Sequence, residues 1–300
     1  MIQDLMKECT LCPRDCKVNR TMGQRGYCKA CEELIVARAA LHMWEEPCIS
    51  GEEGSGTVFF SGCSLGCVYC QNFNIANGMA GKKITIKRLA DIFLELQQKR
   101  ANNINLVTPS HYVPQIIDAI GLARGKGLSI PIVYNSSAYE KVDTLRLLEG
   151  YVDIYLPDLK YMNPEAAGLY SRAGDYFEYA AKAIEEMVRQ VGSAEFDDRG
   201  MMRKGVIVRH LLLPGHLADS KDIIRYLYDT YGDTIYISIM NQYTPLPRMV
   251  DYPLMNRKVT AEEYEELIDY AIGIGIENGF IQEGETASES FIPEFNEEGV

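Results

Sequence analysis

From Thr57 onward, short apolar runs alternate with stretches whose apolar residues recur at helical spacing. Six runs predict strands: Thr57–Ser61, Ile104–Thr108, Ile130–Asn135, Val152–Leu156, Val206–Leu213 and Ile235–Met240. They are rich in Val, Ile, Tyr and Phe, and several are continuously apolar, as expected where both faces of a sheet are covered. A helix is predicted over about Ile86–Arg100, with Leu89, Ile92, Phe93 and Leu96 on one face. A second spans Tyr176–Val191, aligning Phe177, Ala181, Ile184 and Val188. A third begins at Thr260, where Thr260 and Glu263 have capping-box spacing, and buries Tyr264, Leu267, Ile268 and Ala271. Phe280–Gln282 could add a last short strand. Strand–helix alternation implies a parallel sheet, either doubly wound and open or an incomplete barrel. No internal repeat is present.

The two ends read differently. Residues 1–50 are dense in cysteine and show no long periodic element, and residues 283–300 carry six Glu with no Lys or Arg. The expected organisation is a Cys-rich segment (1–50), a core (51–282) and an acidic tail or lid (283–300). The formal net charge of −12 repels phosphate backbones and argues against sequence-independent nucleic-acid binding. No apolar stretch approaches the length of a membrane span, and the first residues do not resemble a secretory signal. The expectation is a cytoplasmic protein with no membrane partner.

That compartment changes how the nine cysteines are read. Reducing conditions disfavour a disulfide framework, so metal binding or catalysis becomes the default. All of them lie at or before Cys70. Cys63, Cys67 and Cys70 form C-x3-C-x2-C directly after the first predicted strand, at the edge where parallel sheets place their ligands. Thiolates select Fe–S clusters or zinc. Gly62 and Gly66 let such a loop wrap a compact group. Three ligands are one short of a closed four-cysteine site, and a metal centre with an open position is typically a reactive one.

This motif closely resembles that of the radical S-adenosylmethionine (SAM) superfamily, and the chain is most similar to its pyruvate formate-lyase activating enzyme-like group. The resemblance implies a partial (β/α)6 barrel and a [4Fe–4S] cluster on Cys63, Cys67 and Cys70, with SAM on the remaining iron. One electron would cleave SAM and give a 5′-deoxyadenosyl radical that takes hydrogen from a substrate. Tyr69 occupies the place of an aromatic residue lying near the adenine. Strand ends should carry the other cofactor contacts. After the second strand stands Thr108-Pro109-Ser110-His111, where most relatives have a Gly-Gly-Glu-like segment; carbonyls near Thr108 and the Ser110 hydroxyl could substitute. Asn135 and Ser136 follow the third strand and suit the SAM ribose and carboxylate, or cap the next helix. Asp158-Leu159-Lys160 resembles a segment of the activating enzymes; Asp158 and Lys160 would contact cofactor or substrate, or form an internal ion pair. Arg209 corresponds to an arginine near the SAM carboxylate, which its fork matches. Strand alternation turns His210 the opposite way. Asn241-Gln242-Tyr243 close the series.

The N-terminal cysteines Cys9, Cys12, Cys16 and Cys28 have the spacing C-x2-C-x3-C-x11-C, with Cys31 and Cys48 competing as the last ligand. Four soft ligands would close a zinc site or a second Fe–S cluster, and a metal would explain how a core-poor segment folds. The group resembled shows a similar Cys-x-Leu-Cys-Pro-Arg opening. Other motifs fail: Gly51–Thr57 lacks the Lys of a phosphate loop, and Gly273–Gly279 follows a helix with the wrong spacing for a dinucleotide fingerprint.

Two functions compete. The first is a radical SAM enzyme, reduced by flavodoxin or ferredoxin and acting on a protein, peptide or small molecule, with a glycyl radical enzyme among the candidate targets. The second is a non-catalytic adaptor binding zinc at both cysteine groups, with Cys48 a candidate fourth ligand for Cys63, Cys67 and Cys70.

Overall fold

The computed structural model describes residues 2–282 and 293–300. In chain order its strands are β1 (Leu34–His42), β2 (Ser55–Phe60), β3 (Lys82–Ile84), β4 (Ile104–Val107), β5 (Ile132–Ser136), β6 (Ile154–Pro157), β7 (Glu195–Phe196), β8 (Met202–Leu211), β9 (Tyr236–Met240) and β10 (Gly279–Ile281). They form a sheet in the order β10-β9-β8-β6-β5-β4-β2-β1-β3, with β7 paired to β8. The six predicted strands are β2, β4, β5, β6, β8 and β9, and all pair in parallel. β10 adds a further parallel strand one residue earlier than expected. The parallel strands are buried along most of their length, which is why they read as continuous apolar runs.

The sheet is open at its ends but curled. Laid flat, β2 and β9 would stand about 24 Å apart, five spacings of about 4.8 Å. Yet Gln71, at the far end of the cysteine loop that follows β2, donates from Nε2 to the carbonyl of Gln242, just after β9, at 2.9 Å. The Tyr69 and Tyr243 rings also meet edge-on, 6.1 Å between centroids. The six-strand run therefore has the expected partial-barrel shape, with its C-terminal ends facing a shared space.

The helices pack outside the sheet. Ile86–Gln98 is capped by the Thr85 hydroxyl, which accepts from the Arg88 N–H, and buries the four predicted residues. Thr260 and Glu263 make the predicted reciprocal capping box at the start of Ala261–Gly273. Tyr176–Val191 has the predicted ends but is rotated. Tyr176, Ala180, Ala183, Ile184 and Met187 are buried, while Phe177, Ala181 and Val188 are only partly covered. The cause is Tyr176, whose hydroxyl contacts the carbonyls of Ser137 and Asp158 at 2.8 and 2.6 Å and draws that face inward.

Two further expectations change. The 1–50 segment contains a nine-residue strand, β1, which pairs antiparallel with β2. Beyond Ile35 and Val36 it runs through alanines and Arg38, so the strand pattern was weak. Of the acidic tail, residues 293–300 run along β1: Glu297 donates to Ala37, and Ala39 to Glu298. Phe295 packs on Phe59. Residues 283–292 lie outside the described residues. Among the described residues, no helix is long and apolar enough to cross a membrane.

Candidate active site

The loop after β2 is shaped from behind by the N-terminal segment. Gly62 has φ +96, and a Cβ on it would lie 2.4 Å from the Cys28 carbonyl oxygen. Gly66 has φ +69 and is covered by the Tyr27 ring. Both positions need glycine, one for close approach and both for left-handed backbone. Leu65 is fully buried and plugs the loop into the core. Cys63, Cys67 and Cys70 are free thiols, half-buried, and line one cavity of about 260 Å³. The Leu65 N–H donates to Cys63 Sγ at 3.4 Å, and the Ser171 hydroxyl to Cys67 Sγ at 3.1 Å. Burial pushes the Cys63 thiol up, and Cys67 adds to it. Burial, then Cys63 and Cys67, push Cys70 up to about 12. Three thiols gathered in low dielectric ionise together only around a cation. Their donor set therefore fits an iron–sulfur cluster, which supplies that charge.

The strand ends complete the cavity. Thr108, Asn135, Ser136, Ser137, Asp158, Lys160, Arg209, Met240, Gln242 and Tyr243 all line it with the three cysteines and Tyr69. Thr108 takes φ +57, a left-handed conformation that costs a β-branched residue about 1–3 kcal/mol. Its N–H donates to the Asn135 carbonyl at 2.9 Å. Tyr69 is buried, edge-on to Tyr161, Tyr170 and Tyr243. Ser110 does not reach the cavity: the turn Ser110–Tyr112 aims its hydroxyl at the buried carboxylate of Glu140. His111 also turns inward, with Nε2 on the Ser61 carbonyl at 2.8 Å.

A charge network forms one wall. Arg209 donates from Nε to Asp158 at 2.8 Å, from Nη2 to Asn135 at 2.7 Å and from Nη1 to Glu45 at 3.1 Å. Lys160 Nζ donates to the other oxygen of Asp158 at 2.7 Å. Of the two sequence readings, the internal ion pair is thus formed, but on the cavity wall. Burial pushes the Asp158 carboxyl up, yet Arg209 and Lys160 outweigh it and hold the group below the usual carboxylate range. Burial raises Glu45 despite Arg209. His210 points the other way, as strand alternation requires, with its ring nitrogens 2.8 Å from the Leu159 carbonyl and the Ser220 hydroxyl.

Sequence reasoning missed the contribution of the first fifty residues. His42, Trp44 and Glu45 line the cavity, and Asn105 donates to Glu45 at 3.0 Å. Gln71 and Asn72 were visible beside the motif but carried no assigned role. Ser171 had no signal at all, because it lies far along the chain from the sulfur it touches.

The N-terminal cysteines divide. Cys16 Sγ and Cys28 Sγ lie 3.4 and 3.7 Å from the point a Gly26 Cβ would occupy. Cys12 is raised by burial and then by the nearby Cys28, Glu140 and Cys9. Burial brings Cys28 up to about 11, with Cys9 and Cys16 contributing. Backbone N–H groups oppose this: Arg14 donates to Cys12, Ala30 to Cys28 and Tyr27 to Cys16. The Cys31 thiol lies 4.0 Å from a Glu33 carboxylate oxygen. Cys48 sits among Ile49, Val133, Ile154, Leu156, Met202 and Ile207 and lines no part of the cavity, which removes it as a ligand beside Cys63. Among the described residues, no three Cys, His, Asp or Glu side chains are closed around a single-ion position.

Comparison with known proteins adds a family match, two relatives and two solved structures. The family model of the radical SAM superfamily matches residues 57–227. An uncharacterized protein of Methanocaldococcus jannaschii is 29% identical over 276 residues, covering 90% of this chain and 75% of its own. The pyruvate formate-lyase-activating enzyme of Clostridium pasteurianum is 27% identical over 176 residues, covering 57% of this chain and 66% of its own. Two solved structures share the fold. SuiB of Streptococcus suis bound to S-adenosylmethionine has TM-score 0.50 and 12% identity, covering 76% of this chain and 52% of that one. The FeFe-hydrogenase maturase HydG of Carboxydothermus hydrogenoformans has TM-score 0.50 and 13% identity, covering 78% and 59%. The chain thus spans little more than half the length of these two solved chains.

Proposed function

The chain belongs to the radical SAM superfamily, and from that premise we propose that it reductively cleaves SAM at Cys63, Cys67 and Cys70 and passes the radical to a substrate of the activating-enzyme type. The observation that carries this reading is convergence: three thiols and the polar ends of β4, β5, β6 and β8 line one cavity. A [4Fe–4S] cluster on those thiols would leave one iron for SAM and supply the electron that breaks its carbon–sulfur bond.

The chain's own residues bind, orient and exclude water. Arg209 donates from Nε, Nη1 and Nη2 to Asp158, Glu45 and Asn135. Those contacts make it a buttress of the wall, with one N–H left on each Nη. Lys160 has one acceptor, Asp158, and is the cation better placed to meet the SAM carboxylate. The Asn135 and Ser136 side chains offer polar partners to the ribose. Tyr69 gives the adenine an aromatic edge, and Thr108 presents backbone polar groups through its left-handed turn. Phe59, Leu65, Leu211 and Met240 line the same cavity and keep water from a radical, which a wet site would quench.

The N-terminal tetrad Cys9, Cys12, Cys16 and Cys28 is proposed as a second metal site, either zinc or Fe–S. Three N–H groups aimed at its sulfurs suit thiolates. The proposed electron donor is a flavodoxin or ferredoxin, the compartment the cytoplasm, and the acceptor a protein, peptide or small molecule, with a glycyl radical enzyme first to be tried. The test is anaerobic reconstitution followed by SAM and dithionite. Formation of 5′-deoxyadenosine that Cys67→Ala abolishes upholds the reading. Stoichiometric zinc without iron, and no 5′-deoxyadenosine, would turn it to a zinc-binding adaptor.

A further inference from the structure

The carbonyls of the Cys63–Cys70 loop are gripped from outside by two guanidinium groups. Arg248 reaches the Val68 and Cys70 carbonyls and lies over the Phe73 ring, 3.7 Å from its centroid. Arg14, between Cys12 and Cys16, makes the larger set. Its Nε donates to Ser64 at 2.9 Å, and its Nη2 to Leu65 at 2.9 Å and Ser171 at 2.8 Å. Nη1 takes the Arg172 carbonyl. Its plane lies 3.9 Å over the Tyr27 ring, the same ring that covers Gly66.

Ser171 connects this grip to a ligand sulfur. Its hydroxyl donates to Cys67 Sγ at 3.1 Å and lies 2.9 Å from the Tyr161 hydroxyl, itself 2.7 Å from that of Tyr69. The Tyr161 hydroxyl donates onward to Tyr69, and the single Ser171 proton goes to the Cys67 sulfur.

We propose that Arg14 and Ser171 form a positioning bracket for the SAM-cluster loop. Arg14 fixes the carbonyls between Cys63 and Cys67 together with the Ser171 backbone, and Ser171 sets the hydrogen bond on the Cys67 sulfur. The proposal rests on the radical SAM reading of Cys63, Cys67 and Cys70. Only a planar fork spans four carbonyls on two segments, so lysine is not an equivalent. Hydrogen bonds to cluster sulfurs favour the more negative, reduced state and raise the potential.

Three full-length variants test it: Arg14→Gln, Arg14→Lys and Ser171→Ala. In the metal-free chain, Arg14→Gln should speed amide exchange across residues 62–70 by about tenfold, the scale of losing charge-assisted hydrogen bonds. In the reconstituted protein it should raise KM for SAM by about tenfold more than kcat falls, and Arg14→Lys should recover only part of either effect. Ser171→Ala should leave amide exchange unchanged and move the cluster's midpoint potential to a more negative value. Unchanged exchange and KM in Arg14→Gln, or full rescue by lysine, overturns the role of Arg14. An unmoved potential in Ser171→Ala overturns that of the hydroxyl. If wild type makes no 5′-deoxyadenosine, the functional reading fails, while exchange in the metal-free chain still decides the bracket.

Discussion

Seven of the nine cysteines fall into two groups that touch through Gly62 and Cys28, and the two are built differently. Cys63, Cys67 and Cys70 are half-buried at the C-terminal end of β2 and open into a cavity walled by the polar ends of five other strands. Cys9, Cys12, Cys16 and Cys28 do not line that cavity; three are buried, and backbone N–H groups are aimed at the sulfurs of Cys12, Cys16 and Cys28. The same side chain thus serves two ends. Where thiols meet empty space lined with polar groups, the site can take a ligand and react. Where they meet packed backbone, a metal would do no more than hold the chain together.

The sharpest way to break this comparison is to remove one thiol from each group. Cys67→Ala should reduce 5′-deoxyadenosine formation to background. Cys12→Ala should leave a measurable rate in whatever fraction stays folded, while lowering the melting temperature. Equal loss of turnover from folded samples of both would erase the distinction. Next comes the wall that only the open group possesses. Asp158→Asn leaves Lys160 without its counter-charge and Arg209 with Glu45 alone, and breaking buried ion pairs costs about 3–5 kcal/mol. Denaturant melts should register that loss, and SAM affinity should fall with it. An unchanged midpoint would mean that the network is solvent-screened.

A smaller effect sharpens the membership of the closed group. Cys28→Ser should cost one metal site by elemental analysis, whereas Cys31→Ser and Cys48→Ser should keep the metal content. Cys48→Ser should still destabilise by about 1 kcal/mol, the usual scale for a polar atom placed in an apolar cluster. A pH-dependent effect involves neither group. Burial pushes the His210 imidazole down to about 4, against the pull of the Leu159 carbonyl. The unfolded chain therefore takes up a proton first, and stability present above pH of about 6.5 should fall between there and pH 4, by at most about 3 kcal/mol. His210→Gln should flatten that slope in melts from pH 7 to 4.5. If it does not, the acid sensitivity belongs to another buried group, first of all His111, whose imidazole burial pushes down to about 3.

Much of this was legible from residue order. The strands β2, β4, β5, β6, β8 and β9 could be read because most of their length is buried and several of the runs are apolar without interruption. The cluster motif could be read because its spacing is local. β1 was missed for the opposite reason: its alanines and Arg38 carry little strand signal, and its place is decided by pairing with β2. Ser110 was assigned to the cavity on chain position alone, and a single turn sends its hydroxyl to Glu140 instead.

Local order determined the open trio of thiols, the capping of Ala261–Gly273 by Thr260, and the alternation that sends Arg209 and His210 to opposite sides. These depend on neighbours within a few residues, whose geometry the backbone itself sets. Only the folded chain set Cys48 in an apolar cluster away from the cavity, brought Asp158, Glu45 and Asn135 to Arg209, and brought Ser171 to Cys67. Each of those contacts joins residues far apart in sequence. Their proximity follows from the curl of the sheet and the seating of the first fifty residues behind the loop, which no local pattern encodes.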